Sequence, residues 1–156
     1  MRSGTRLGVD VGKVRVGVAR CDDGGLLATP VATLARAEAT VAELVALAVD
    51  SRPIEIVVGL PLSMNGGETA STADARKLAS ELAAAIAVPV RLVDERLSTV
   101  SAQRALHQSG RSVKSSRAVI DQAAAVIILQ NALDFERSAG RPPGSVVDPT
   151  QGRTSS

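Results

Sequence analysis

Residues 7–19, LGVDVGKVRVGVA, constrain the fold more tightly than any other stretch of the chain. Leu7, Val9 and Val11 alternate with Gly8, Asp10 and Gly12, and Val14, Val16 and Val18 then alternate with Arg15, Gly17 and Ala19. A two-residue period interrupted by a glycine turn predicts a β-hairpin with little bulk on one face. Asp10 stands on that sparse face, where an acid is costly to bury unless something positive compensates it.

The rest of the chain extends the pattern. Leu26 to Leu34 reads as a third strand, and Pro30 within it marks a sheet edge. Thr40 and Glu43 form a capping-box pattern that opens a helix running through about Ser51. Ile54 to Gly59 is a β-branched run of the kind buried in parallel sheets, and residues 60–68 have loop chemistry. A helix is predicted from Thr69 to about Ile86, a strand from Pro89 to Glu95, and a helix from Ser98 to about Gln108. A basic loop, Gly110 to Ser116, then precedes a final helix from Ala118 to about Arg137. The order β-β-β-α-β-α-β-α-α predicts an α/β fold, one mixed sheet with helices on both faces.

With 156 residues, 45% of them hydrophobic, one domain with a real core is expected over residues 1–137. From Ser138 onward, 12 of 19 residues are Gly, Pro, Ser or Thr, so residues 138–156 read as a disordered C-terminal tail. No stretch has the pattern of a signal peptide or a membrane span, and a cytoplasmic location is expected. A single cysteine, Cys21, leaves no internal disulfide and suits a reducing compartment; it reads as a strand-end residue. With one histidine besides, no zinc or haem cluster can be assembled. His107 and the helix-capping candidates Ser98 and Thr99 read as structural or surface residues.

Charge is segregated. Residues 1–20 carry five bases against Asp10, residues 96–120 carry five bases and no acid, and residues 21–95 carry eleven acids against five bases. Either the basic segments are solvated faces or they are the footprint of a polyanion. Candidates for contacting nucleic acid are Lys13, Arg15, Arg96, Arg104, Arg111, Lys114 and Arg117. Phe135 is the one aromatic residue, so phosphate and shape contacts are expected to outweigh base stacking.

Three acids recur in similar settings. Asp10 ends the first strand, Glu95 ends the fifth beside Asp94, and Asp121 lies on the last helix in a row with Ala124, Ala125 and Ile128. Each has a structural reading: Asp10 fixing the hairpin, Asp94 or Glu95 capping a turn, Asp121 stabilising a helix N-terminus. Together they point to a site where strand ends converge. Two carboxylates about 4 Å apart repel by roughly 4 kcal/mol at an effective dielectric near 20, so a proton or a cation must relieve them. Oxygen ligands alone favour Mg²⁺ or Mn²⁺, and a two-metal site suits in-line attack of water on a phosphodiester.

The segments GVDVGKVRVGVA, IVVGLPLSMNG, LVDERLST and IDQAAAVIIL together resemble the YqgF (RuvX-like) family. Its members are described as pre-16S rRNA nucleases and as Holliday-junction resolvases. The resemblance spans roughly residues 5–135 and implies a ribonuclease H-like fold: a five-stranded sheet in order 3-2-1-4-5 with strand 2 antiparallel. It also implies that Asp10, Glu95 and Asp121 are the catalytic, metal-binding acids. In that order the fourth strand separates Asp10 from Glu95, putting their backbones about 10 Å apart. Gly59, at its end, leaves space for the longer acid to reach across. Successive strand residues face opposite sides, so only one of Asp94 and Glu95 is expected to enter the site. Reach and the family pattern favour Glu95, leaving Asp94 to pair with a base such as Arg96 or to help the turn.

The function expected is a metal-dependent endonuclease acting on structured nucleic acid. Precursor 16S rRNA, at its 5′ end, is favoured over branched DNA, because a junction resolvase needs a two-fold dimer and no interface is evident. Monomer and homodimer both stay open. A nucleic-acid-binding protein without cleavage is the second class. An actin-like phosphotransferase is the third, disfavoured because such enzymes close two related domains over the nucleotide. Residues 60–68 read equally as a mobile lid or a plain connector.

Overall fold

The computed structural model describes residues 1–97 and 113–148, with side chains for 1–96 and 122–148. The alternating segment forms β1 (Arg6–Val11) and β2 (Arg15–Cys21), paired antiparallel with Asp10 opposite Gly17. β3 (Ala28–Ala35) pairs antiparallel with β2, and Pro30 is tolerated on it because that strand is the sheet edge. α1 (Thr40–Ser51) leads to β4 (Glu55–Leu60), which lies parallel to β1. α2 (Ala70–Ala85) leads to β5 (Val90–Asp94), parallel to β4. A 3₁₀ turn, Glu95–Leu97, follows, and α3 (Val113–Ala139) is the last helix among the described residues.

The sheet order is β3-β2-β1-β4-β5-β6, so the expected five strands are joined by a sixth, β6 (Ser145–Val146). This corrects the expectation of a disordered tail over residues 138–148. β6 pairs antiparallel with β5, Val147 is buried, and its N–H donates to the Val90 carbonyl at 2.7 Å. Gly144 makes the approach possible: with φ +69°, a β-carbon there would stand 1.9 Å from the Leu92 carbonyl oxygen. Composition argued for a tail; an exposed strand edge and one buried valine override it.

Two further expectations change. Thr40 does not cap α1, whose N-cap is Ala39 with no side-chain bond. The Thr40 hydroxyl is buried, accepting the Ala37 N–H and facing the Ala35 and Ala37 carbonyls, so the loop before the helix takes it. A reciprocal capping box forms instead at α2, between Thr69 and Thr72. Val113 to Ser116, expected in a basic loop, are already helical. The helix expected over 98–108 lies outside the described residues.

Side-chain parity divides the core in two. Leu7, Val9, Val16, Val18, Ile56, Val58, Val90 and Leu92 face α1 and α2. Ala19, Cys21 and Val57 face α3, meeting Ala124, Ala125, Ile128, Leu129, Ala132 and Leu133. Small residues let α3 lie close: a β-carbon on Gly8 would stand 2.7 Å from Leu129 Cβ. Helices cover both faces, as expected. Among the described residues no helix is long and apolar enough to cross a membrane.

The N-terminal edge of this α3 face holds an ion-pair network. Glu136 on α3 accepts hydrogen bonds from Arg2 at 2.7 and 3.0 Å, and buried Arg6 lies 3.3 Å from it. Glu55 pairs with Arg2 and Arg91. Hydrogen bonds from Arg2 hold the Glu136 carboxyl down at about 2, against an ordinary 4.5. The Cys21 sulfur accepts the Arg6 N–H, and burial pushes its thiol up, which keeps it protonated and inert.

Candidate active site at the carboxyl edge of the sheet

α3 runs against β1 so that Glu136 meets Arg6 near the strand's start, and Leu129 and Ala125 meet Gly8 further along. Asp10 is two residues beyond Gly8 on the same face. It is 3% exposed and engaged with its surroundings. Asp121 belongs to α3 one turn before Ala125; its side chain lies outside the described residues.

Glu95 closes much of the distance that β4 puts between the two strands. Val9 is in register with Val58, which brings Asp10 level with Gly59, and Gly59 is in register with Val93. Glu95, immediately after β5, turns its side chain back over Gly59. Its Oε1 lies 2.7 Å, and its Cγ 3.1 Å, from where a β-carbon on that glycine would stand. Adjacent strands are about 4.8 Å apart, so the Glu95 carboxylate occupies the column next to Asp10 rather than one two strands away. Ile128 of α3 closes the same spot, its Cδ1 at 2.6 Å from that point.

Asp94 goes the other way. It shares the parity of Val90 and Leu92, which face the α1 and α2 layer, and it binds Arg96 through side-chain contacts of 2.7 to 3.2 Å and a backbone bond of 2.9 Å. The Arg96 guanidinium holds the Asp94 carboxyl below the usual carboxylate range, and Asp94 in turn raises Arg96. Arg96 also reaches the Met64 carbonyl at 3.5 Å, so it joins the end of β5 to the loop after β4. That loop is internally bonded between Ser63 and Gly67 and tied to α2 where the Thr72 hydroxyl donates to the Pro61 carbonyl. Met64 at its tip is exposed.

On the other flank, the β1–β2 turn carries Lys13, which is exposed, and Arg15, which is partly buried and engaged. Arg36 fixes the turn by donating to the Gly12 carbonyl at 2.8 Å while binding Asp74 of α2 at 2.7 and 2.9 Å. The Arg36 guanidinium lowers the Asp74 carboxyl, with Lys13 adding to the effect. Sequence reasoning passed over this clamp, since an arginine after a strand and an aspartate on a helix carry no local signal. Lys114 and Arg117 lie on α3, with their side chains outside the description; Ser98, Thr99, Arg104, His107 and Arg111 lie outside it altogether.

Among the described residues, no group of three acids, histidines or cysteines is close enough to hold a metal. Asp10 and Glu95 are two members of the expected set, and the third is Asp121. The pair alone offers hard oxygen donors on one face of the sheet, in a setting that suits a divalent cation of the Mg²⁺ or Mn²⁺ type.

Comparison with known families settles the lineage. Residues 4–135 match the family model described as "RuvX: Holliday junction resolvase". The chain belongs to the RuvX family. Its relatives include a protein of Leifsonia xyli subsp. xyli, 56% identical over 97% of this chain and 99% of the relative. Another, from Clavibacter michiganensis subsp. michiganensis, is 57% identical over 94% of this chain and 93% of its own length. A third, from Streptomyces coelicolor, is 55% identical over 95% and 90%. Each is named "Putative pre-16S rRNA nuclease". Among solved structures, Thermus thermophilus RuvC in complex with a Holliday junction substrate aligns at TM-score 0.57 and 15% identity. That alignment covers 92% of this chain and 99% of RuvC. A second RuvC structure aligns at 0.51. The fold is therefore the ribonuclease H-like fold of RuvC, carried on a RuvX-family sequence.

Proposed function

We propose that this protein is a nuclease that processes precursor 16S rRNA, hydrolysing phosphodiester bonds at the edge of the sheet where Asp10 and Glu95 occupy neighbouring columns. The observation that carries the reading is the Glu95 carboxylate over Gly59, beside the column of Asp10. Relatives above 55% identity that are named for this activity, matched over nearly their whole length, supply the substrate.

Asp10, Glu95 and Asp121 would hold a divalent ion, Mg²⁺ or Mn²⁺. When bound, such an ion makes water a better nucleophile at neutral pH and stabilises charge on phosphate oxygens. The protein residues do the rest. Burial of Asp10 beneath α3 fixes one carboxylate in place, and the strand-end turn and Gly59 orient the other. Lys13 and Arg15, on the turn clamped by Arg36, would hold phosphates of the bound strand. Arg96, tethered to Asp94 but exposed, would do so on the opposite flank. The basic side chains at Arg104, Arg111, Lys114 and Arg117 extend this footprint. Cleavage near the mature 5′ end, in the cytoplasm, by a monomer or a homodimer, is the specific form of the proposal.

The family description and the RuvC fold favour a second reading, cutting of branched DNA. It requires a two-fold dimer that sets two sites at matched spacing. The test offers purified protein a precursor rRNA fragment, a four-way junction and a plain duplex, each with Mg²⁺, Mn²⁺ or a chelator. Metal-dependent cutting of the rRNA fragment, abolished by Asp10→Asn, supports the proposal. Selective cutting of the junction replaces it with the second reading, and binding without cutting refutes both.

A further inference from the structure

A cavity of about 120 Å³ opens directly beside Glu95, walled by Val93 and Asp94 at the end of β5, by Ile128, Asn131, Ala132 and Phe135 of α3, and by Pro143 and Gly144. Three features set it apart from ordinary surface relief. Its lining is mostly apolar, yet it includes Glu95, the carboxylate assigned to the reaction. It contains the chain's one aromatic ring, Phe135, which is 37% exposed although it lies on the packed helix. And its third wall is the segment that composition marks as a tail.

That wall is held firmly. Arg91 donates to the Pro143 carbonyl at 3.2 Å, Gly144 lies against the Leu92 carbonyl, and β6 pairs with β5 immediately afterwards. Arg141 sets its guanidinium 5.4 Å from the Phe135 ring centroid, which steadies the ring and places a positive charge beside the cavity. Asn131 brings an amide, one donor group and one acceptor, that makes no side-chain hydrogen bond to another described residue.

We infer that this cavity receives one unpaired nucleobase of the substrate strand, adjacent to the phosphate cut at Asp10 and Glu95. The inference rests on the nuclease reading and adds its substrate class: RNA with a splayed nucleotide at the cleavage position. At about 120 Å³ the cavity is smaller than the roughly 150 Å³ that encloses a benzene-sized molecule, so it takes the edge of a base and leaves the remainder against the exposed Phe135 ring. Chemistry fits as well. An aromatic face, an amide able to read a base edge and a nearby cation are the elements with which proteins capture unstacked bases. Glu95 itself lines the cavity, which places an occupant next to the carboxylate assigned to the reaction. A base held there turns the neighbouring phosphate toward the acids and makes cleavage depend on a local break in pairing.

The test uses the full chain and a precursor 16S rRNA fragment carrying 2-aminopurine at successive positions around the mature 5′ end. Fluorescence is read on binding in chelator, and cleavage is read in Mg²⁺. Two variants address the cavity: Phe135→Ala removes the platform at a half-exposed position, and Ala132→Phe fills the space. Circular dichroism verifies that each folds. The inference predicts one position whose fluorescence changes on binding to the native protein and stays flat with both variants, with affinity about tenfold weaker. Cleavage with no such position, or with a signal unchanged in Phe135→Ala, overturns the base pocket and leaves the nuclease reading intact. A Phe135-dependent signal without cleavage does the reverse, and absence of both removes both.

Discussion

Glu95 lies across Gly59, its Oε1 2.7 Å from the point where any other residue would carry a β-carbon. An acid just past the end of β5 thereby reaches the neighbourhood of Asp10 on β1, although β4 runs between those strands. The glycine is part of the site without contributing a functional group.

Gly59→Ala is therefore expected to damage function more than stability. The added methyl meets Ile128 Cδ1 and the Glu95 carboxylate, both ends of side chains, so the fold yields at a cost of about 1–3 kcal/mol. Cleavage should fall at least tenfold because the carboxylate is displaced. At Gly8 the methyl would meet Leu129 Cβ and the Ala125 carbonyl instead, so Gly8→Ala should cost more stability. Thermal denaturation and initial rates on the same preparations check the pair.

The neighbouring acids Asp94 and Glu95 should separate cleanly. Glu95→Gln is expected to lower kcat at least a hundredfold. Asp94→Asn, which releases Arg96 but faces the other layer, should leave kcat within about threefold and alter KM. Equal losses in both variants would mean that Asp94 also serves the reaction.

Acid should weaken the fold through Glu136. Its carboxyl is depressed to about 2 in the folded protein against 4.5 ordinarily, so its contribution is complete above pH 4.5 and is lost as pH falls toward 2. The amount is of order 1–3 kcal/mol, since the main partner Arg2 is 41% exposed and screened. Glu136→Gln should be less stable than the native chain at pH 7, where buried Arg6 loses its carboxylate partner and keeps only the Gly4 and Arg2 carbonyls, and the gap should narrow between pH 4.5 and 2. Urea titrations across that range measure it; a constant gap would contradict the assignment.

Removing residues 141–156 should lower Tm by several degrees, because β6, the buried Val147 and the Arg91–Pro143 contact are lost together. An unchanged Tm would return the segment to the status of a loose tail.

What the sequence made legible follows from local periodicity. The hairpin of β1 and β2 comes from two-residue alternation, and the space at Gly59 from the strand order that the family resemblance implies. The features that were missed depend on contacts distant in sequence. β6 exists because β5 offers an unpaired edge and Gly144 fits against it, while its own residues have the composition of a tail. Thr40 has the sequence of a cap but spends its hydroxyl on the preceding loop. Phe135 stands out in the sequence only as the one aromatic residue, and the fold sets it in the same cavity wall as Glu95.

The central claim is that Asp10 and Glu95 share one divalent ion, with Asp121 completing the set. Anomalous diffraction from crystals soaked in Mn²⁺ tests it most directly. The account predicts a peak with carboxylate oxygens of Asp10 and Glu95 both at about 2.0–2.4 Å, lost in Asp10→Asn. A peak held by only one of these side chains, or elsewhere on the sheet, would contradict it.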